Sequence, residues 1–513
     1  MYLQTVEDLD LCIAPDTSRL LAGIARFLSG EGIHSYLVGG FVRDTFLGRT
    51  TADIDIAVAA GAPDVARRVA GMLDGRFVLL DEENGIGRVV LSGDDAGLYL
   101  DFSTLRGDIE NDLSLRDFTI DAMAIELGEN IAEIISPDSV IDPFGGRTDL
   151  RRGLVKAVAD NVFQADAVRL LRAVRIAAEL DFDIYVDTET LISRDSRLIT
   201  GVAGERIREE LLRILSLPDA GVRLAYLDRL GLLTALIPEL NPARGVDQPY
   251  LHFWDVFDHS MQTVTAVEFL LREHDLEYAG DDVLSLAPWS DDLAIHFNAA
   301  VAFGSTRRSL LKLAALLHDI AKPGTRTVDD NGRTRFLGHS QEGASIAADI
   351  LERLRFGNKE IKYVELLVTH HMRPTQMSHE GMPSRRALYR FFRDTGESYI
   401  DVLFLCLADH LAARGPGLDP AEWRKHTALT DYVLNAYREQ ETLAAPPRLV
   451  DGHDLIREFG LAPGPEIGKI LEAIREARAA GEITTRRQAI GYIKNLLADR
   501  PPAGPDSITR KER

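Results

Sequence analysis

The sequence predicts an α+β protein in which a small mixed β-sheet is followed by several largely helical regions. Up to about residue 157, short runs rich in apolar and aromatic residues alternate with glycine-rich turns, as the strands of a small sheet do. After residue 160, apolar residues recur at intervals of three and four, which is typical of amphipathic helices. A chain of 513 residues is too long for one hydrophobic core, so we expect several domains.

The elements of the first part follow in order. Residues 17 to 32 are predicted to form an amphipathic helix, and residues 34 to 39 a strand. The runs RFVLL, GRVVLSG, GLYLDFSTL and DAMAIEL predict further strands. Two helices are then predicted from VRLLRAVRIAAEL and ERIREELLRIL, and the proline and glycine of LIPELNPARGVDQP indicate a linker.

The second part is predicted to be almost entirely helical. A helical region runs from about residue 252 to 440, and the acidic segment from 275 to 293 within it is expected to be a surface insertion. The prolines of LAAPPRLVDGHD indicate a further boundary. A last helical unit is predicted to end near residue 497, before a disordered tail, PPAGPDSITRKER.

The overall composition excludes several classes of protein. A formal net charge of -22 argues against a protein that coats nucleic acid nonspecifically, although arginines cluster at 169 to 175, 206 to 213 and 385 to 393. The two cysteines, Cys12 and Cys406, lie far apart in apolar surroundings, which argues against a disulfide framework and fits a reducing cytoplasm. The sequence has neither the pattern of a secretory signal nor a membrane-spanning apolar run, so we expect a cytoplasmic protein that does not enter a membrane.

The stretch LVGGFVRDTFLGRTTADIDIAV combines groups that suit phosphate and metal ions. If ADIDIAV is a strand, Asp53 and Asp55 point to one face, and two carboxylates on one face suit Mg²⁺. Gly39 and Gly40 allow the backbone to approach a ligand at a strand-to-helix turn, where helix N–H groups favour phosphate. Arg43 would lie on the first turn of that helix, within reach of a phosphate oxygen.

A third acidic strand could complete this site. The run LYLDFSTLRG could bring Asp101 beside Asp53 and Asp55. Together these are the parts of metal-assisted phosphoryl or nucleotidyl transfer. Taken singly, a double glycine is more often a turn and an Asp-x-Asp more often a solvated strand edge, so the prediction depends on their ordered combination.

Five motifs in the same order resemble one family. The stretch from residue 37 to 58 closely resembles the nucleotidyltransferase head of the class II tRNA nucleotidyltransferase and bacterial poly(A) polymerase family. LRDFTIDAMAI and DPFGGRTDLRRGLVKAV resemble that family's second and third motifs, DAVRLLRAVRIAAEL its template helix, and ERIREELLRIL the element after it. The resemblance implies an enzyme that adds CMP or AMP to the 3′ end of tRNA by two-metal, Mg²⁺-dependent transfer from CTP and ATP.

The resemblance also implies a role for individual residues. Asp53 and Asp55 match the catalytic carboxylates that bind Mg²⁺, with Asp101 as a further catalytic candidate. On the template helix, protein side chains read the base in place of a nucleic-acid template. The residues that match nucleotide contacts are Gly39, Gly40, Arg43, Arg116, Asp166, Arg169 and Arg172.

The template helix departs from the family pattern beside its base-reading pair. Asp166 and Arg169 match that pair, but the Glu that usually precedes the Asp and the Pro that often follows it are here Ala165 and Ala167. This departure favours an enzyme of partial specificity over one that switches fully from C to A addition. The simpler interpretation of the arginines 169, 172 and 175 is a solvated helix face.

A second set of motifs resembles the HD phosphohydrolase fold. FDHSMQTV, ALLHDIAKPGT, LGHSQEGA, LVTHHMRPT and LADHLAARG occur in that order within the helical region. Imidazole and carboxylate together suit a transition metal (Mn, Ni, Co or Fe) that polarises water. The residues that match metal ligands are His259, His318, Asp319 and Asp409, and His339, His370 and His371 are candidates for a second metal site.

These motifs predict five regions and leave several functions open. The regions are a catalytic head (1–158), a helical neck and body that select nucleotide and bind RNA (159–240), an HD domain (250–440), a C-terminal helical unit (445–497) and a tail (498–513). The alternatives are an enzyme adding only A, only C or a poly(A) tail, an HD phosphohydrolase whose head binds nucleotide, and an RNA-binding module without catalysis. Oligomeric state is left open.

Overall fold

A computed structural model describes residues 13–92, 97–128, 139–248, 252–378, 381–442 and 449–498. The chain divides into two compact units. The first comprises the chain up to Leu217 together with Val222–Pro238, and the second comprises Pro218–Gly221 and the chain from Glu239 onwards. The predicted α+β class is confirmed, because a mixed sheet lies in the first unit and helices dominate the rest.

The sheet of the first unit has seven strands in the order β3-β4-β5-β2-β1-β6-β7. Strands β2 and β5 pair in parallel, and every other neighbouring pair is antiparallel. Alternation along β2 buries Ile54 and Ile56 completely. The strands are β1 Ser35–Val38, β2 Asp53–Val58, β3 Arg76–Asp81, β4 Ile86–Val90, β5 Tyr99–Thr104, β6 Ala124–Glu126 and β7 Val140–Ile141.

Helices complete the first unit. The first begins at a proline, which suits a helix N-terminus, and covers Pro15–Gly30 where 17 to 32 was predicted. A two-stranded parallel pair, β8 Leu154–Val155 and β9 Asp183–Ile184, flanks the helix Arg169–Leu180. The remaining helices are Gly40–Phe46, Ala62–Met72, Ile109–Ser114, Gly146–Arg151, Val162–Ala165, Val186–Asp195, Gly204–Ser216, Ala220–Arg229 and Leu233–Leu236.

Three apolar helices form the centre of the second unit. Val256–Leu270, Arg307–Leu317 and Tyr399–Arg414 bury residues on nearly all sides, which explains the weak amphipathic pattern of the first and the third. Two short hairpins are β10 Ala300–Ala302 with β11 Ser305–Thr306, and β12 Arg326–Val328 with β13 Thr334–Phe336. The other helices here are Asp281–Leu284, Asp291–Asn298, Lys322–Thr325, His339–Arg353, Asn358–His370, Arg373–Met377, Arg385–Thr395 and Pro420–Thr442.

The acidic segment from 275 to 293 exposes its carboxylates at the surface of the second unit and packs several apolar residues against it. Leu276 is buried, and the Trp289 ring stacks on Phe297 with ring centroids 6.2 Å apart. Trp423 donates from its indole nitrogen to the Val283 carbonyl at 2.8 Å. Apolar residues interleaved with the acidic ones provide this packing, while the carboxylates face outwards.

Three helices form the C-terminal part of the second unit. Gly452–Phe459, Pro465–Ala479 and Arg486–Ala498 bury a common core that includes Leu455 and Ile493. The last helix ends at Ala498, one residue beyond the predicted end. Ala498 therefore belongs to this helix and not to the predicted tail (498–513), and residues 499–513 lie outside the described residues. In the part of the chain that the structure describes, no helix has the length and apolar character needed to span a membrane.

Candidate active site

A glycine turn organises the first site. Gly39 separates β1 from the helix Gly40–Phe46 and has φ 69° and ψ -141°, a conformation that favours glycine. A Cβ atom at this position would lie 2.7 Å from Arg116 Nη1 and 3.1 Å from Asp55 Oδ2. The missing side chain therefore leaves the space in which a guanidinium and a carboxylate approach the backbone.

The three predicted carboxylates lie on two adjacent strands. Asp53 begins β2, and Asp55 is aligned with Asp101 on the parallel strand β5. Burial raises the pKa of Asp55 to about 6, Arg116 opposes this rise, and Asp101 adds to it. A buried carboxylate beside another carboxylate is a position that a divalent cation would stabilise, so these residues fit Mg²⁺.

Asp101 is already paired with an arginine that the sequence analysis did not identify. Arg88 on β4 donates from Nε and Nη2 to the two Asp101 oxygens, each at 2.7 Å. Its Nη2 also lies 3.7 Å from Asp53 Oδ1. The structure thus brings Asp101 beside Asp55, but with its carboxylate in a two-point ion pair. Arg88 meets Asp101 because the two residues are aligned in the register of β4 against β5, and sequence spacing does not specify that register.

The predicted phosphate-contacting arginines are held by aspartates. Arg43 Nη1 donates to Asp121 Oδ1 at 2.7 Å. Arg172 Nε lies 2.8 Å from Asp117 Oδ2. Burial raises the pKa of Asp117, but Arg172 and Arg169 outweigh burial, and the net pKa is below the usual value. Both aspartates belong to the motif LRDFTIDAMAI and are buried. Two acidic residues within an apolar run are the sequence signal that could have identified them as partners of buried arginines.

The predicted base-reading pair lies at the start of the helix Arg169–Leu180. Arg169 is its first residue, and Nη2 donates to the Leu115 carbonyl at 2.9 Å. Asp166 accepts from Arg206 Nη1 and Nη2 at 3.0 and 2.7 Å. Arg206 was recognised only as part of an arginine cluster. The solvated-face interpretation does not hold for Arg175, which is 7% exposed and bonded to two glutamates.

Imidazole and carboxylate groups from five helical segments converge in the second unit. We call this set the His-Asp cluster. Asp319 lies centrally, with Oδ2 3.4 Å from His259 Nε2 and Oδ1 3.5 Å from His339 Nε2. Two three-residue groups have the spacing of metal ligands. The cluster consists of His259, His318, Asp319, His339, His371 and Asp409.

Backbone carbonyls orient three of these histidines. Nδ1 of His318, His339 and His371 lies 2.8, 2.7 and 2.7 Å from the backbone oxygen three residues earlier, which directs Nε2 into the cluster. Burial lowers the pKa of His371 to about 4, with His318 adding to the effect, so this ring is neutral. Buried Asp319 Oδ1 has no hydrogen-bond partner among the described residues, and the donor set fits a transition metal.

Two further residues qualify the predicted ligand set. His370 lies outside both three-residue groups, and its pKa is lowered by burial and by Arg373. Lys322, which was not predicted, places Nζ 2.5 Å from Asp319 Oδ2 and donates to Gln248 Oε1 at 2.6 Å. Lys322 follows Asp319 by three residues, a spacing at which two side chains can meet across one turn of the chain.

Comparison with known proteins covers nearly the whole chain. Family models match residues 35–156 (Poly A polymerase head domain), 181–244 ("Probable RNA and SrmB-binding site of polymerase A"), 256–414 (HD domain) and 337–493 (tRNA nucleotidyltransferase domain 2). The Thermotoga maritima CCA-adding enzyme complexed with tRNA has a similar fold, with a TM-score of 0.58 at 22% identity, over 96% of this chain and 98% of that one.

Two relatives are similar in sequence over almost their entire length. The A-adding tRNA nucleotidyltransferase of Deinococcus radiodurans is 33% identical, over 91% of this chain and 96% of that protein. The CC-adding tRNA nucleotidyltransferase of Geobacter sulfurreducens is also 33% identical, over 94% of this chain and 96% of that protein. From this extent of similarity, the chain belongs to the tRNA nucleotidyltransferase family.

Proposed function

We propose that the chain adds nucleotides from CTP and ATP to the 3′ end of tRNA, in CCA addition or repair, in the cytoplasm. The observation that carries this proposal is the glycine turn at Gly39, which sets Arg116 and Asp55 against the backbone while Asp55 lies in register with Asp101. A cation, an anionic pair and a helix N-terminus without a side-chain cap at one turn are the groups that a nucleoside triphosphate requires.

Each residue has a role in this proposal. Asp53 and Asp55 would hold Mg²⁺, which when bound neutralises phosphate charge and lowers the pKa of an attacking hydroxyl. Gly39, Gly40 and Arg43 hold the triphosphate, and Arg116 and Arg172 add positive charge beside it. Asp166 and Arg169 offer an acceptor and donors to the base edge. The 3′ hydroxyl of the tRNA attacks the α-phosphate, and pyrophosphate leaves.

The test uses three tRNA transcripts, ending before the first C, after CC and after CCA. Each is incubated with the protein, Mg²⁺ and labelled CTP or ATP, separately and together. We expect addition to the first two transcripts and none to the third. Asp55→Asn should abolish addition, whereas Asp64→Asn, which alters an exposed carboxylate of the helix Ala62–Met72, should not. Absence of addition by the unaltered protein would refute the proposal.

A second candidate is addition of only part of the CCA sequence. Ala165 stands where the family usually has Glu, and the relatives that match over more than nine-tenths of both chains include A-adding and CC-adding enzymes. In the same assay, an A-adding enzyme extends only the CC-ended transcript, and a CC-adding enzyme extends only the shortest one. Repeated addition of A to any RNA would identify a poly(A) polymerase instead.

For the second unit we propose metal-dependent phosphoester hydrolysis by the His-Asp cluster. A bound Mn, Ni, Co or Fe ion would polarise water there. Lys322 supplies positive charge beside Asp319 for an anionic substrate. Metal content measured by mass spectrometry and hydrolysis of bis-p-nitrophenyl phosphate test this proposal. Asp319→Asn should lose both metal and hydrolysis, while His370→Ala should retain them. A protein that binds none of the four metals and hydrolyses no substrate when each is supplied would refute the proposal.

A further inference from the structure

A cavity in the first unit lies apart from the head carboxylates. Its volume is about 530 Å³, within the range of cavities that hold small organic ligands. It lies in the segment 181–244 that matches the RNA-binding model of polymerase A. The wall is formed by the helices Val186–Asp195 and Ala220–Arg229 and by the segment around β9. The lining includes Phe182, Asp183, Glu189, Arg223, Tyr226 and Arg229.

Arg223 gives the cavity an unsatisfied cation. Its Nε is buried, and among the described residues the Arg223 guanidinium has no hydrogen-bond or ion-pair partner. The neighbouring Arg229 differs, because its Nη2 lies 3.3 Å from Glu189 Oε1. A buried donor without an acceptor costs free energy, and a ligand with anionic oxygens would remove that cost. Arg223 therefore favours a phosphate or a carboxylate in the cavity.

The aromatic part of the wall favours a flat ligand. Tyr226 donates its hydroxyl to Glu189 Oε1 at 2.6 Å, which fixes the ring, and the Arg229 guanidinium lies 4.6 Å from the ring centroid. Burial and Glu189 hold the pKa of Tyr226 above its usual value, so the hydroxyl stays protonated. Half-buried Phe182 provides a second ring. Bases stack on such rings, and Asp183 could accept a hydrogen bond from an amino group or a ribose hydroxyl.

We propose that this cavity binds one unstacked nucleotide, with its phosphate on Arg223 and its base against Tyr226 and Phe182. The nucleotide belongs either to the RNA substrate, away from its 3′ end, or to a free nucleoside monophosphate. The assignment to RNA rests on the proposed function in tRNA 3′ addition. A nucleotide that is stacked and paired within a helix does not meet this requirement, because one face of the base must be free to contact a protein ring.

Binding measured without transfer tests the proposal. Fluorescence anisotropy with labelled tRNA lacking CCA, in Mg²⁺ but without nucleoside triphosphate, gives Kd over a series of salt concentrations. We expect Arg223→Ala to raise Kd about ten-fold and to reduce the slope of log Kd against log salt by about one. Tyr226→Ala should raise Kd about five- to ten-fold with the slope unchanged, since stacking involves no counterion release. Tyr226→Phe should bind as the unaltered protein does.

Matched controls separate the proposal from misfolding and from failure of the proposed function. Arg67→Ala removes an arginine that, like Arg229, pairs with a carboxylate and lies over an aromatic ring, and it should leave Kd unchanged. Arg223→Lys, which keeps the charge, should restore most of the salt slope. If the unaltered protein binds tRNA through Arg223 but adds no nucleotide, the proposed function fails and the cavity assignment stands.

Equilibrium dialysis with labelled AMP and CMP distinguishes the two sources of nucleotide. Weaker tRNA binding by Arg223→Ala with unchanged monophosphate binding assigns the cavity to the RNA. Loss of one bound monophosphate with unchanged tRNA binding assigns it to a free nucleotide. If Arg223→Ala and Tyr226→Ala match the unaltered protein for tRNA, for the salt slope and for both monophosphates, the proposal is overturned.

Discussion

The arginines around the head carboxylates are held in place by acidic partners. Arg43 is anchored by Asp121, and Arg88 makes a two-point contact with Asp101. A buried ion pair loses hydration on both sides, so its net contribution to stability is small. Its effect on orientation is larger, because a guanidinium fixed before the substrate binds loses little entropy when it meets phosphate.

We expect Asp121→Asn to impair nucleotide use more than folding. The variant weakens the anchor of Arg43, whose Nε remains bonded to Asp44 at 2.9 Å. The KM for ATP or CTP should rise about ten- to one-hundred-fold, a cost typical of losing a group that orients a ligand contact. Steady-state kinetics on the transcript that is extended, with Asp64→Asn as the control, measures this change. An unaltered KM would show that Asp44 alone positions Arg43.

Gly39→Ala should abolish activity while Gly61→Ala should not. At Gly39 a methyl group would meet Arg116 Nη1 at 2.7 Å, in a backbone conformation with φ 69° that alanine rarely adopts. Gly61 has φ -62° and open space around the position of a Cβ atom. We expect a loss of at least about one-hundred-fold in kcat/KM for Gly39→Ala, since displacement near the reacting groups by about 1 Å has this cost. Comparable activities would contradict the close approach.

Cation binding to the head should depend on pH, with a midpoint near the pKa of Asp55. Burial raises the pKa of this carboxyl to about 6. Below that pH the carboxyl carries a proton that a cation must displace, so affinity should fall by about ten-fold for each pH unit, and above it affinity should be constant. Electron paramagnetic resonance with Mn²⁺ as the probe, taking the difference between the unaltered protein and Asp55→Asn, measures this. A difference that is equal at pH 5 and pH 7.5 would contradict it.

At the scale of elements, patterns within a strand or a helix could be predicted, and contacts between elements could not. The alternation in ADIDIAV correctly predicted the strand Asp53–Val58 and the burial of Ile54. The pair of Arg88 with Asp101 depends on the register between β4 and β5, which no local pattern specifies. The contact of Arg206 with Asp166 likewise joins residues 40 positions apart. The burial of Leu276 in the acidic segment was not predicted either, because acidic residues surround it in the sequence.

Helix packing in the second unit depends on one buried lysine. Lys312 is fully buried on the helix Arg307–Leu317, and its Nζ lies 2.9 Å from Glu268 Oε1 and 2.7 Å from Glu273 Oε2. Lys312→Met should destabilise this unit by about 3–5 kcal/mol, because it leaves buried carboxylates without a counter-charge. Urea unfolding followed by circular dichroism measures the loss, and exposed Lys359→Met is the control. A change under about 1 kcal/mol would show that Arg308 compensates by its contact with Glu273.

At the scale of the whole molecule, the distribution of positive charge matters more than the net charge of -22. The arginine cluster at 385 to 393 suggested a basic groove from sequence. In the structure, Arg386 and Arg390 contact Glu476, and Arg393 Nη1 donates to Glu472 Oε1 at 3.1 Å. This cluster joins two helices of the second unit and offers less positive charge to RNA than its composition indicates. Arg223 in the first unit, which has no partner among the residues that the structure describes, is a stronger candidate for contact with RNA.

The chain carries two candidate chemistries with different donor sets, and we expect metal removal to separate them. The candidate ligands in the head are the carboxylates of β2 and β5, whereas four imidazoles face Asp319 and Asp409 in the His-Asp cluster. Nitrogen ligands favour transition metals over Mg²⁺. Dialysis against a chelator followed by Mg²⁺ should therefore restore nucleotide addition but not phosphoester hydrolysis, and Mn²⁺ should restore both.

Paired variants provide the control for that separation. Asp55→Asn should lose nucleotide addition and keep hydrolysis, and Asp319→Asn should show the reverse. Asp319 is almost fully buried, so its variant must first match the unaltered protein in its unfolding midpoint, and His339→Gln serves where it does not. Slower nucleotide addition in a folded Asp319→Asn protein would contradict the separation of the two chemistries.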